Sequence, residues 1–197
     1  MLAPYRRHFV KRYHEWMQDD KLLESTCSEK LTLEEEYKMQ ESWRDDEKKC
    51  TFIILDGNRY MECIGNKEMD EKQCNMILEQ RMIGDVNVFF NDPDDDPNAV
   101  EIEVMIAEMQ YRQRGIGKEA VTLMMRYCVN QLCVTRFRAQ ILEDNLNSIS
   151  LFRALDYKET KRIPVFQEVV YELSREIDGE AWERIQNGML DVKPYPC

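Results

Sequence analysis

The sequence predicts an α+β fold: a mixed, mostly antiparallel sheet flanked by helices. Three observations carry that expectation. Strand-like segments follow one another in hairpin fashion through the first half and alternate with helical periodicity only later. The dense turn Asn91-Asp92-Pro93-Asp94-Asp95-Asp96-Pro97-Asn98 separates two of those segments, as a solvated hairpin loop does. The stretch Glu101-Ile102-Glu103-Val104-Met105-Ile106-Ala107 then alternates polar and apolar like a half-exposed strand, and a basic, glycine-bearing turn leads from it into an apolar-periodic helix.

Taken in order, Leu2-Ala3-Pro4-Tyr5 reads as the end of a strand, and residues 8–18 as a helix with Phe9, Tyr13, Trp16 and Met17 near one stripe. A second helix starts at Leu31-Thr32-Leu33-Glu34-Glu35-Glu36, with Thr32 as cap and Glu35 as its capping-box partner, and runs on through Tyr37, Met39 and Trp43. Residues 50–55 form a strand closed by Asp56-Gly57, and the polar stretch 58–73 an exposed loop. A strand is expected over 76–90, broken or bent near Gly84. The loop 91–98 lacks the spacing and the glycine of a calcium loop. Then come strand 100–106, helix 117–132, strand 135–142, a short helix at about 147–155 and a last long strand over 165–173. One domain over 1–174 is expected, followed by a helical turn around Ala181-Trp182 and a mobile tail at 193–197.

The bulk numbers exclude several classes. With 43% hydrophobic and 33% charged residues among 197, the chain has the makeup of an ordinary soluble protein. A net charge of -11 leaves no global positive field to displace counterions from a nucleic acid, although basic residues cluster at Arg6, Arg7, Lys11 and Arg12 and at Arg112, Arg114 and Lys118. No apolar run is long enough to span a membrane or serve as a signal peptide. Seven cysteines, none spaced as C-x-x-C and accompanied only by His8 and His14, argue against a zinc site or a disulfide framework, and reduced thiols in the cytoplasm are the simplest reading.

The chemistry is concentrated at Arg112-Gln113-Arg114-Gly115-Ile116-Gly117-Lys118. A strand, a small-residue loop and a helix start aim several backbone N–H groups at one point, with the positive end of the helix dipole behind them. That arrangement suits a phosphate or diphosphate. A Walker A loop fails, because Arg112 stands where its first glycine belongs and Glu119 where its Ser or Thr belongs. A dinucleotide fingerprint is met formally by Gly115-x-Gly117-x-x-Ala120. Its strand, however, carries Glu101 and Glu103 and ends well before the glycines, and Phe137 and Arg138 occupy the place of the ribose-binding acid. A helix start with no ligand is the plain alternative.

Arg112-Gln113-Arg114-Gly115-Ile116-Gly117 matches the pattern Arg/Gln-x-x-Gly-x-Gly/Ala after an alternating strand, and Asn145-x-x-Ser148-Ile149-x-Leu151-Phe152-x-x-Leu155-Asp156-Tyr157 follows at the right distance. In these two ordered segments the chain resembles the GNAT superfamily of N-acetyltransferases, and with flanking elements the resemblance covers about residues 2–173. Tyr13-His14-Glu15-Trp16-Met17, Leu31-Thr32-Leu33-Glu34, Cys50-Thr51-Phe52-Ile53, Gly84-Asp85-Val86-Asn87 and Glu101 to Glu108 are similar to a branch that acetylates tubulin N-termini.

The resemblance implies a GNAT-type sheet splayed between its fourth and fifth strands, 100–106 and 135–142, with the family's first strand truncated, most of it missing before Leu2. It implies acetyl-coenzyme A as cosubstrate and no metal, with the pantetheine arm on the backbone of Val104, Met105 and Ile106 and the diphosphate on the N–H groups of Gln113, Arg114, Gly115, Ile116, Gly117 and Lys118. Arg112 and Arg114 would add charge, or be ordinary solvated arginines. Asn145 would hold the arm, or cap a turn. An N–H of the fourth strand, such as that of Ile106, would steady the thioester oxygen. The acceptor would be a protein N-terminus, with tubulin or microtubules as the partner and neither nucleic acid nor membrane involved.

A free α-amine, with a pKa near 8, is easier to deprotonate than a lysine by about 2.5 units, or roughly 3.4 kcal/mol. Glu101 and Glu103, on one strand face, are the bases that could act through water, or else a solvent-facing pair. Where the family carries a proton-donating tyrosine this chain has Phe152, which cannot donate; Ser148, Tyr157 or water remain for that role. Acceptor choice would lie with residues 17–33 and the hairpin near 164–167. A cofactor-binding module with little turnover and a small-amine acetyltransferase are the alternatives.

Overall fold

The structure, a computed structural model, describes residues 1–57 and 70–191. Strand β1 (Leu2–Pro4) pairs antiparallel with β2 (Lys49–Leu55), setting Leu2 opposite Ile54. A 3-10 turn at Arg7–Phe9 leads into α1 (Val10–Trp16), which buries Val10, Tyr13 and Trp16, as the apolar stripe predicts. α2 (Asp20–Ser25) was not expected; Asp19 caps it by accepting from the Lys21 amide at 2.9 Å. α3 (Leu33–Asp45) begins with the expected capping box. Thr32 Oγ1 accepts from the Glu35 amide at 3.3 Å, and Glu35 accepts from the Thr32 amide at 2.8 Å.

The strand expected over 76–90 is a helix followed by a strand. α4 (Glu71–Glu79) starts at a second capping box, in which Asp70 and Gln73 satisfy each other's backbone N–H, and buries Cys74 and Leu78 one turn apart. Only then does β3 (Met82–Phe89) begin, and it passes through Gly84 without a break. The expected loop at 58–73 lies mostly outside the described residues, as does the tail at 193–197.

β4 (Ala99–Ile106) is followed by a 3-10 turn at Met109–Tyr111, then α5 (Ile116–Gln131), β5 (Arg136–Leu142) and α6 (Leu146–Arg153). The single strand expected over 165–173 is a hairpin of β6 (Lys158–Ile163) and β7 (Glu168–Ser174). β6 escapes pattern reading because its residues through Arg162 are all exposed; it is an edge strand held by backbone pairing, with charged side chains that discourage a further partner. α7 (Gly179–Gln186) enlarges the turn expected around Trp182 and packs against α5.

The hydrogen-bonded strand order is β1-β2-β3-β4-β5-β7-β6. The β4–β5 pair is parallel, while β1–β2, β5–β7 and β7–β6 are antiparallel, so the sheet is mixed as predicted. Contacts gather the described chain into two units, 1–85 with 105–112, and 86–104 with 113–191. The first has an aromatic-rich core of Phe9, Tyr13, Trp16, Ile53, Leu55, Leu78 and Met105, with Tyr5 and Tyr13 rings 5.1 Å apart. Tyr13 and Trp16 are therefore core residues. The second buries Val121, Met124 and Cys128 of α5 with Phe137, Leu173 and Trp182. Among the described residues no helix is long and apolar enough to cross a membrane.

Candidate functional site

β4 and β5 are registered at Ala99↔Arg136, Val100↔Phe137 and Glu101↔Arg138, and that register ends there although β4 runs to Ile106 and β5 to Leu142. On its other side β5 is paired along its full length with β7. Beyond Glu101 and Arg138 the facing edges of the two strands are thus outside the parallel ladder. Backbone N–H and C=O groups need partners, and an unladdered edge can take them from an extended ligand. The parallel register thus ends at the level where the two strands are expected to part.

Further along, Gln113 has a φ of 57° and Gly115 a φ of 80°, both in the left-handed region. Gly115 is the N-cap of α5, and a Cβ there would meet nothing within 4 Å, so glycine answers the dihedral and not a shortage of space. No side chain caps this helix. Its first i→i-4 bond is Glu119 N–H to Gly115 C=O at 3.0 Å, which leaves the amides of Ile116, Gly117 and Lys118 ahead of the helical ladder. Gln113, Arg114 and Lys118 are exposed around them, while Gly117 is buried. A helix start without a side-chain cap, beside the exposed Arg114 and Lys118, suits an anion in charge and in geometry.

Arg112 is used differently. Its Nε donates to the Ile106 carbonyl at 2.7 Å and its guanidinium reaches the Ala107 carbonyl at 3.4 Å. The side chain is folded onto the end of β4. At that end Met105 is buried and pressed against β3: a Cβ on Gly84 would lie 1.9 Å from the Met105 carbonyl oxygen. The amides of Ala107 and Glu108 both donate to the Ile83 carbonyl, at 2.9 and 3.1 Å. Gly84 is therefore required by this close approach, not by the bend expected from the sequence. Val104 and Ile106, on the opposite strand face, are half-buried.

The two carboxylates that share a face of β4 have separate surroundings. Glu101 is paired with Arg138 at 3.2 Å and accepts from Asn91 Nδ2 at 3.3 Å, and its side chain is only 12% exposed. Arg138 also donates to Gln140 Oε1 at 2.7 Å. Glu103 is exposed.

In α6, Asn145 is the N-cap, its Oδ1 accepting from the Ser148 amide at 3.1 Å. Ser148 is half-buried in the first turn. Phe152 is buried and meets the Tyr157 ring edge-on at 5.0 Å. Burial, with a smaller contribution from Cys128, pushes the Tyr157 phenol well above its ordinary value, and its hydroxyl has no hydrogen-bond partner. Tyr157, one of the groups considered as proton donor, is thus shut into the core. Of the two side chains considered for this role, Ser148 is the one not shut into the core.

Sequence reasoning missed the Gly84–Met105 approach, for which a glycine inside a strand was the available signal, and the Arg12, Trp16 and Glu108 cluster, which has none. Among the described residues no group of three His, Cys, Asp or Glu side chains could hold a metal ion.

A β4–β5 pair whose register ends early, followed by a glycine-capped helix start, defines an acetyltransferase fold, and residues 1–158 match the acetyltransferase (GNAT) domain family, to which the chain belongs. It is an acetyltransferase by that membership. More particularly, it is 49% identical over 169 residues to an N-acetyltransferase 9-like protein of Nematostella vectensis, covering 86% of this chain and 79% of the relative. It is 42% identical over 195 residues to the alpha/beta-tubulin-N-acetyltransferase 9 of Mus musculus, covering 99% of this chain and 76% of that one. Among solved structures, an aminoglycoside acetyltransferase in complex with coenzyme A is similar with a TM-score of 0.70 over 93% of this chain and 97% of that one; at 17% identity the likeness is of fold alone.

Proposed function

We propose that the chain moves the acetyl group of acetyl-coenzyme A to the α-amine of a protein N-terminus, and that the acceptor is tubulin. The observation that carries the cofactor half is the unladdered end of β4 ahead of an uncapped helix start. Support for the acceptor half is the name of the mouse relative, which matches 99% of the chain.

On this reading the backbone of Val104, Met105 and Ile106 takes the pantetheine arm as an added strand. The amides from Gln113 to Lys118 take the diphosphate, with Arg114 and Lys118 supplying nearby positive charge. Arg112 contributes by holding the carbonyls of Ile106 and Ala107 at the end of β4. Asn145 keeps its Nδ2 for the arm, since its Oδ1 is committed to the helix cap. Phe152 forms an apolar wall. Glu101, held by Arg138 and Asn91, and the exposed Glu103 on the same strand face are the two carboxylates that can act as base. A base acting through one water is enough for an amine whose pKa is near 8. The Ser148 hydroxyl relays to the departing thiolate a proton that it takes in turn from water, so no serine alkoxide is left.

The test is mass spectrometry of acetyl transfer to tubulin N-terminal peptides, unrelated N-terminal peptides, spermidine and an aminoglycoside. Gly117→Glu, which sets a carboxylate among the α5 amides, is the inactive control. Transfer to the peptide α-amine is expected, with loss of both transfer and coenzyme A affinity in the variant. Coenzyme A binding without transfer to any amine would favour a binding module, transfer to the small amines alone would move the acceptor class, and full activity in Gly117→Glu would displace the diphosphate from this loop.

A further inference from the structure

Glu108, just past β4, is tied to its surroundings in two ways. Its backbone amide joins that of Ala107 on the Ile83 carbonyl of β3. Its carboxylate takes donors from α1: Arg12 Nη2 at 2.5 Å and Trp16 Nε1 at 2.8 Å, both on Oε1, while Gln110 Nε2 donates to Oε2 at 2.9 Å. The side chain is 16% exposed. Burial pushes the carboxyl up, but the donors from Trp16, Gln110 and Arg12 prevail and hold it below the ordinary carboxylate value, so it is ionised at neutral pH. Charge-assisted bonds of this kind are the stronger class of hydrogen bond, and their geometry is selective.

The backbone at the end of β4 does not depend on that carboxylate. Met105 is pressed against Gly84, Ala107 and Glu108 are bonded to Ile83, and Arg112 caps the carbonyls of Ile106 and Ala107. What the carboxylate adds is α1, whose last helical residue is Trp16 and which runs directly into Met17 and α2. The backbone at the end of β4 and the helix α1 therefore have separate supports, all of them within the unit formed by 1–85 and 105–112.

We infer that Glu108 is a positioning residue for the acceptor, holding α1 and the segment that follows it against the fixed end of β4, and not a determinant of coenzyme A binding. This rests on the proposed acceptor reading and deepens it.

The test uses the full chain with Glu108→Ala and Glu108→Gln, compared with wild type in three measurements: hydrogen exchange of the α1 amides, coenzyme A affinity by calorimetry, and steady-state kinetics with the best N-terminal peptide. Removing the carboxylate takes an acceptor from Trp16, Gln110 and Arg12, of which Arg12 keeps Glu15, so in Glu108→Ala the α1 amides should exchange faster and the acceptor KM should rise about tenfold. The coenzyme A Kd should stay within about twofold, because its supports are backbone and Arg112. Glu108→Gln keeps an oxygen for Arg12 and Trp16 and should recover the acceptor KM to within about threefold of wild type. An unchanged acceptor KM in Glu108→Ala, an equal loss of coenzyme A affinity, or no recovery in Glu108→Gln would each overturn the inference. If wild type acetylates only small amines, the N-terminal acceptor reading fails, and the same split is then read on the amine that it does acetylate.

Discussion

Replacing Gly84 by alanine should be among the most damaging single-methyl changes available in this chain. The added Cβ would sit 1.9 Å from the Met105 carbonyl oxygen and 3.0 Å from Ile106 Cα, both backbone atoms that no rotamer change can move. Restoring ordinary van der Waals contact requires β3 and the end of β4 to separate by about 1.5 Å at this point, a third of the normal interstrand spacing. The bonds from Ala107 and Glu108 to Ile83, at 2.9 and 3.1 Å, do not survive such a displacement. Two backbone hydrogen bonds at about 0.5–1.5 kcal/mol each, with about 1–3 kcal/mol for overpacking, come to roughly 2–6 kcal/mol. For a chain of this size that lowers Tm by about 5–20 °C. Circular dichroism melts of Gly84→Ala and of Gly57→Ala provide the assay, the second being a control because nothing lies within 4 Å of its Cβ position. Since the displaced segment is Met105–Ile106, coenzyme A affinity measured well below the melting range should also fall. A Tm for Gly84→Ala within about 2 °C of wild type would refute the close-approach argument.

Thr32→Ala removes the side-chain half of the α3 capping box and should cost about 0.5–2 kcal/mol in a denaturant melt, with coenzyme A affinity unchanged because the cap touches no proposed ligand contact. Glu36, buried on α3, has its carboxyl pushed up to about 7 by desolvation from an ordinary 4.5, and its Oε2 has no hydrogen-bond partner. Between those two values the unfolded chain releases a proton that the folded chain keeps, so wild type loses stability as pH rises through the window and the loss is complete above it. Glu36→Gln escapes the loss: the two proteins should differ least near pH 4.5, and the variant should be more stable by up to about 3 kcal/mol at pH 8, as urea melts across the range would read. A gap that does not vary with pH would rule out this account of Glu36.

Much of the architecture was legible before any coordinates. The alternation at 100–106, the Thr32–Glu35 box, the stripe of Tyr13 and Trp16, and the helix after Gly117 all rest on spacings of two to four residues, where backbone geometry dictates which side chains become neighbours. The ordered pair of segments around Gly115 and Asn145 carried the family resemblance, and the resemblance in turn implied the mixed sheet. Other elements left a weaker trace. α4 was split between a loop and a strand, since its capping box at Asp70 and Gln73 sits in a polar stretch with few apolar residues to mark a period.

Tertiary pairing decided the remainder. β6 is exposed and polar until Ile163 and exists as a strand because β7 offers it a ladder, and backbone hydrogen bonds leave no signature in side chains. Arg112 meets the carbonyls of Ile106 and Ala107, and Glu101 meets Arg138, contacts that no local spacing announces. Glu108 acquired Arg12, a residue 96 positions away. Each of these side chains has several chemically reasonable partners in an unfolded chain. Which one it meets is settled when distant segments are packed together and only one geometry satisfies their charges.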